Sequence, residues 1–145
     1  MEERLEELNR FLANLNVFYR KLQNYHWNIE GEDFFEVHAK LEEYYDEVNE
    51  QIDEIAEHIL TLDGQPWGTL RDYIEKATLE EAENKKITSS KIFKQLIEDL
   101  ESLRAQVLSI KKKAEVANDY GTSSLMDEYI LDYEKKLWML HHVTK

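Results

Sequence analysis

Helix breakers are nearly absent from this chain, and the few that occur are grouped. Its 145 residues include four glycines and one proline. Gly31 stands alone, Gly64, Pro66 and Gly68 fall together, and Gly121 comes near the end. A fold of many short strands needs far more turn residues, so an all-β architecture is excluded. The long stretches between breakers are free to propagate as helix.

Each of those stretches carries an apolar stripe at three- and four-residue steps. The first runs Leu5, Leu8, Leu12, Leu15, Phe18 or Tyr19, Leu22, and the second Leu41, Tyr44 or Tyr45, Val48, Ile52, Ile55, Ile59, Leu62. The third runs Ile92, Leu96, Leu100, Leu103, Val107, Ile110, and the fourth Leu125, Tyr129, Tyr133, Leu137, Leu140. The pattern predicts helices over about 2–28, 34–62, 89–118 and 122–141, good to roughly two to four residues at each end. Thr122 and either Ser89 or Ser90 are the expected N-caps of the last two. Gly68-Thr69-Leu70-Arg71-Asp72 looks like a cap opening a short helix near 69–76. Two tight turns and one long crossover make an all-α four-helix bundle with ferritin-like connectivity, in one domain spanning 1–145.

Charge and composition narrow the function. With 18 basic and 31 acidic residues the net charge is −13, which favours cations and disfavours a grip on nucleic acid or an anionic membrane. No cysteine is present, which removes disulfides, zinc–thiolate sites and iron–sulfur clusters together. Neither a signal layout at Met1-Glu2-Glu3-Arg4 nor an 18-residue apolar run is found, so a cytoplasmic protein is expected.

Most charged runs, such as Glu80-Glu81-Ala82-Glu83 and Lys111-Lys112-Lys113, read as solvated helix faces. His141 and His142 suit the negative end of the last helix, and His58 reads as the surface partner of Glu54. His26 and His38 stand apart. His26 closes the first helix in Asn24-Tyr25-His26-Trp27-Asn28, and His38 opens the second with Glu42 one turn on. Asp53 and Glu57 form a second carboxylate pair further along that helix. Two imidazoles and three carboxylates suit iron, manganese or zinc rather than a soft metal. Among 31 acids, packed histidines on an acidic helical adaptor remain an alternative on residues alone. If the five do form one site, residues 38 and 53 lie ~22 Å apart on one helix, too far for a single chain to close it. A second copy packed antiparallel near residues 47–48 brings the pairs together across a two-fold axis. Single-chain di-iron bundles use Glu-x-x-His, which is nowhere in this sequence.

Tyr25-His26-Trp27-Asn28, Gly31, Phe34-Phe35-x-x-His38, Asp53-Glu54-Ile55-Ala56-Glu57, Gly64-x-Pro66 and Trp138-Met139-Leu140 together resemble the Dps branch of the ferritin superfamily. The resemblance implies a hollow shell of twelve subunits that oxidises Fe(II) with hydrogen peroxide and stores ferric mineral. It implies His26, His38 and Glu42 as iron ligands from one subunit, with Asp53 and Glu57 from its two-fold neighbour, and zinc or manganese as substitutes. Many members have Asp where Glu42 stands, which moves the carboxylate and bears on the second metal position. Trp27 is expected beside the site, either packing or absorbing oxidising equivalents. Asp119 and Glu128, with Asp127 nearby, match the family's acidic three-fold pores, although a usual Asp is Ser124 here. DNA binding is expected to be weak. Lysine-rich tails are missing, and twelve copies carry about −156 charges, so a shell that protects DNA by coating it is the lesser alternative.

Overall fold

The apolar stripes close into four long helices in the computed structural model, which describes residues 2–145. In chain order they are α1 (Glu3–Asn28), α2 (Phe34–Thr61), the short α3 (Leu70–Lys76), α4 (Ser89–Val116) and α5 (Tyr120–Val143). Two-residue strands β1 (Ile29–Glu30) and β2 (Ile87–Thr88) pair in parallel, with Ile29 opposite Ile87. That bridge sets the end of α1 beside the start of α4, so the two run antiparallel. Lys113 meets Glu3 and Glu7 at their opposite ends, at 3.0 and 2.7 Å. Helices α2 and α4 are therefore parallel and joined by the long crossover, the ferritin-like connectivity.

Helix ends follow local chemistry. Both α2 and α4 stop in a left-handed residue, Asp63 (φ 59°) and Asn118 (φ 58°). In each case the next N–H, of Gly64 or Asp119, returns to the carbonyl of Ile59 or Ala114 at 3.0 or 2.8 Å. These are paired bonds of the Schellman type, which satisfy the last carbonyls. Gly64 has no room for a side chain, since a Cβ there would lie 3.0 Å from both Ile59 and Leu5. Thr69 caps α3 as expected, accepting from Asp72 N at 3.1 Å. The other two expected caps are corrected. Thr88 rather than Ser89 or Ser90 precedes α4, and α5 is capped by Asp119, whose Oδ1 accepts from Thr122 N at 3.2 Å. Gly121 lies inside α5, because an Asp three residues before Thr122 offers a stronger acceptor than the hydroxyl.

One apolar cluster runs the length of the bundle, from Leu8, Leu12 and Leu22 of α1 to Ile55, Leu100 and Tyr133. Phe18 and Tyr44 point inward, while Tyr19 and Tyr45 are only half-buried. On α5, Met126 is fully inside and Leu125 is not. One ion pair interrupts this interior: Lys21 Nζ lies 2.8 Å from Asp99 Oδ2, with both side chains at most 5% exposed. The crossover is pinned by two buried asparagines of α1. Asn9 accepts from Trp67 N at 2.8 Å, and Asn14 accepts from Thr78 N and Leu79 N at 2.7 and 3.1 Å.

Candidate metal centre

Gly31 makes the tight turn that folds α2 back on α1, with φ at +130°, where side chains are strained. The turn sets His26 and His38 face to face, ring centroids 3.7 Å apart and planes within 10°. Each ring bonds the other's backbone: His26 Nδ1 to His38 O at 2.6 Å, and His38 Nδ1 to His26 O at 2.7 Å. A carbonyl only accepts, so both Nδ1 atoms carry a proton, and Nε2 is the ring nitrogen left to act as a ligand. This is how protein ligands are fixed in a metal-binding tautomer. Phe34 stacks on the outer face of His38, centroids 4.8 Å apart. His26 is buried, and its Nε2 lies 3.6 Å from Oε1 of the exposed Glu42.

Asp53 and Glu57 are exposed on α2 and line a shallow concavity with Glu50, Glu54 and the start of α5 at Gly121 and Leu125. At ~1.5 Å per residue they begin ~22 Å from His38. The chain thus gathers His26, His38 and Glu42 in one place and Asp53 and Glu57 in another. Among the described residues of one chain, no group of three or more His, Cys, Asp or Glu side chains could hold a metal ion. The bundle interior offers no alternative. Asp99 is the one buried carboxylate among the described residues, and Lys21 neutralises it.

His58 is not the surface pair expected. It is half-buried, and its Nε2 lies 2.7 Å from Thr122 Oγ1. The Thr122 hydroxyl donates its only proton to Asp119, so His58 Nε2–H is the donor in that contact. Arg4 completes the chain, 2.8 Å from Asp119 Oδ2. Burial holds the His58 imidazole below its ordinary range, against the pull of Asp119 and Glu54. Burial would raise the Asp119 carboxyl, but bonds from the Thr122 hydroxyl and N–H, with the Arg4 charge, hold it below the usual range. Sequence spacing could not show this network, which joins the ends of three helices.

The expected pore residues divide in the same way. The Asp119 carboxylate caps α5 and pairs with Arg4. Asp127 pairs with Lys111 at 2.8 Å, while Glu128 and Ser124 are exposed. Trp27 is no core residue: it is 56% exposed and lines a groove with Leu70, Tyr73 and Ile74, its ring 6.0 Å from the Arg20 guanidinium. The aromatic ring that does meet His26 is Tyr45, edge-on with centroids 5.3 Å apart. Its signal in the sequence was spacing, three residues beyond Glu42 and seven beyond His38 on one helix face.

Residues 5–145 match the family described as the ferritin-like domain. The "DNA protection during starvation protein" of Listeria monocytogenes is 35% identical over 135 residues, covering 92% of this chain and 86% of that protein. A solved Dps protein from Vibrio cholerae O1, described as belonging to a superfamily of ferritin-like diiron-carboxylate proteins, superposes with a TM-score of 0.95. It is 39% identical and covers 99% of this chain and 89% of that one. A Dps structure from Bacillus brevis gives 0.93 at 32% identity over the whole of both chains. The chain belongs to the Dps family. The superposition with the Vibrio cholerae protein covers 99% of this chain, so the shared fold takes in the turn between α1 and α2 and the crossover. It also includes the α2 segment that carries Asp53 and Glu57.

Proposed function

We propose that twelve copies of this chain, each a single ferritin-like domain over 1–145, form a hollow shell that oxidises Fe(II) with hydrogen peroxide and stores the ferric product. The observation that carries this reading is the reciprocal histidine pair, each ring held through its Nδ1, with His26 Nε2 3.6 Å from Glu42. A site that begins there needs more oxygen ligands than one chain supplies. Asp53 and Glu57, exposed on the same helix, supply them from a two-fold partner.

Fe(II) is the substrate. His26, His38 and Glu42 bind it from one side and the partner subunit's Asp53 and Glu57 from the other, with zinc or manganese able to occupy the same nitrogen and oxygen set. The carboxylates offset the charge gained on oxidation. Two Fe(II) ions give one electron each to a peroxide, which breaks into two hydroxides. Paired transfer avoids the hydroxyl radical that a lone ferrous ion releases. The acidic surface, −13 per chain, concentrates the cation and repels duplex phosphates, so DNA binding is weak. Protection then comes from removing iron and peroxide in the cytoplasm rather than from coating DNA.

The test is anaerobic Fe(II) loading followed by peroxide, with absorbance and particle mass recorded together. From 17.4 kDa per chain, a particle of about 210 kDa with oxidation far faster than in buffer is expected. A mainly monomeric species that leaves the oxidation rate unchanged contradicts the proposal.

A further inference from the structure

An exposed stripe along α2 has the same character read from either end. We propose that a second copy packs antiparallel along this stripe, and that divalent cations control how tightly the two copies close. The inference rests on the iron-oxidising reading above, which sets a two-fold axis near residues 47–48. It adds that binding of the ion and association of the chains are one equilibrium.

The stripe starts at position 35 and steps by four and three residues through 39, 42, 46, 49, 53 and 56 to 60, the spacing of a seam between two helices. Every position on it is exposed except the half-buried Ala56. Turned about an axis between 47 and 48, the stripe maps onto itself, as a contact between identical faces requires. Phe35, 81% exposed, comes opposite the partner subunit's Leu60, and Ala39 comes opposite the partner subunit's Ala56. Both ends of the seam are therefore apolar. The middle is acidic: Glu42 comes opposite the partner subunit's Asp53, and Asp46 opposite the partner subunit's Asn49. Three carboxylates from each copy, six in the pair, fall within ~16 Å of helix.

The other flank of α2 shows what this seam lacks. There Glu47 pairs with Lys136 at 2.6 Å, Glu43 pairs with Lys40 at 2.8 Å, and Glu54 accepts from the Tyr129 hydroxyl. Among the described residues no lysine or arginine pairs with Glu42, Asp46 or Asp53. The basic neighbour of Glu42 is the imidazole of the buried His26, whose Nε2 lies 3.6 Å away. Like charges set face to face oppose a contact, and a divalent cation held between them reverses the sign. Among the described residues one chain has no cluster that could hold the ion, so the pair binds it and the separate copies do not. By linkage each of the two equivalent sites tightens the contact by one plus the ratio of free ion to its Kd. At 100 times that Kd the two sites together give roughly 10⁴-fold tighter association.

The experiment follows the mass of the full-length protein by light scattering over a dilution series, in enough urea to bring the chelated particle apart. One series contains EDTA. A second contains Zn(II), which takes the same nitrogen and oxygen donors without redox chemistry, and a third contains Mg(II) at the same concentration. Zn(II) should lower the subunit concentration of half-dissociation at least tenfold. Mg(II), which prefers oxygen ligands and keeps its waters, should change it less than threefold. Asp46→Asn removes seam charge without removing a proposed ligand, so it should tighten the chelated particle several-fold. Asp46→Lys should tighten it further, and Phe35→Glu should loosen the particle with or without Zn(II). Equal half-dissociation in EDTA and Zn(II) overturns the proposal. So does an equal effect of Zn(II) and Mg(II), or an Asp46→Asn particle no tighter than wild type in EDTA. Rapid Fe(II) oxidation by assembled particles alongside any of these leaves the iron reading standing. Oxidation no faster than in buffer, with the Zn(II) dependence intact, removes the iron reading and keeps the seam.

Discussion

Lys21→Met separates what holds the bundle together from what does its chemistry. The substitution keeps the length of the side chain but leaves Asp99 in the interior with only the Gln95 amide, 3.1 Å away. Burial already holds the Asp99 carboxyl above its usual range, despite the bond and charge of Lys21. With the ammonium gone, the carboxyl folds only in its protonated form. Protonating a group of unfolded pKa near 3.9 at pH 7 costs about 4 kcal/mol, within the ~3–5 kcal/mol of other broken buried pairs. For a chain this size that is a loss of roughly 10–15 °C in melting temperature. The sign of the pH dependence follows. The folded variant binds a proton that the unfolded chain has released, so the deficit grows as pH rises and shrinks towards pH 4. At pH 5 it is about 1.5 kcal/mol. Thermal melts by circular dichroism at matched protein concentration, pH 5 against pH 7, read this directly. The double variant Lys21→Met/Asp99→Leu should recover most of the loss, and particles that remain assembled at 25 °C should oxidise Fe(II) at the wild-type rate. A deficit below about 1 kcal/mol at pH 7, or one that does not change with pH, refutes the reasoning about the pair. Slowed iron chemistry in assembled shells would refute the claim that the interior takes no part in it.

Substitutions at two further positions probe the site and its frame. His38→Ala should slow initial Fe(II) oxidation at limiting iron by roughly tenfold or more, while the particle stays assembled and loses about 1 kcal/mol with the Nδ1–H bond to His26 O; an unchanged rate removes His38 from the ligand set. Asp119→Ala should lower the stability of α5 by about 1–2 kcal/mol and Asp119→Asn by much less, because the amide oxygen still caps. Unchanged melting in both, with slowed iron uptake, would favour a pore role for Asp119 over a capping one.

The bundle was legible because breakers and stripes agree: every long helix lies within two residues of its expected span. The α4 and α5 starts show the limit. A stripe marks where burial begins, whereas the helix begins at the best available cap, here Asp119. Contacts between distant segments were less visible. Lys21 and Asp99 each sit at a stripe position, near Phe18 and Tyr25 and near Ile92 and Leu96. Opposite charges on two apolar faces were a signal for the buried pair. Nothing in the spacing of Glu54 and His58 hinted at Thr122, 64 residues away. The histidines of the candidate site were legible by their separation from the charged faces. Their mutual backbone bonds were not, since these depend on the Gly31 turn placing two helix ends in register. Helix rise requires the proposed partition between chains only on the condition that the five residues form one site.

That partition is the central claim, and mixed shells test it most directly. One variant carries His26→Ala and His38→Ala, the other Asp53→Ala and Glu57→Ala. Every site in either pure shell is damaged. A dimer mixed between them has one site lacking all four altered side chains and one with its full set. With random equal mixing half the dimers are mixed, so about a quarter of all sites should recover rapid Fe(II) oxidation. Co-assembly is verified by native mass spectrometry and initial rates are compared with each parent. Recovery near a quarter of the wild-type rate is the predicted result; confirmed mixing with no recovery contradicts a site shared between subunits.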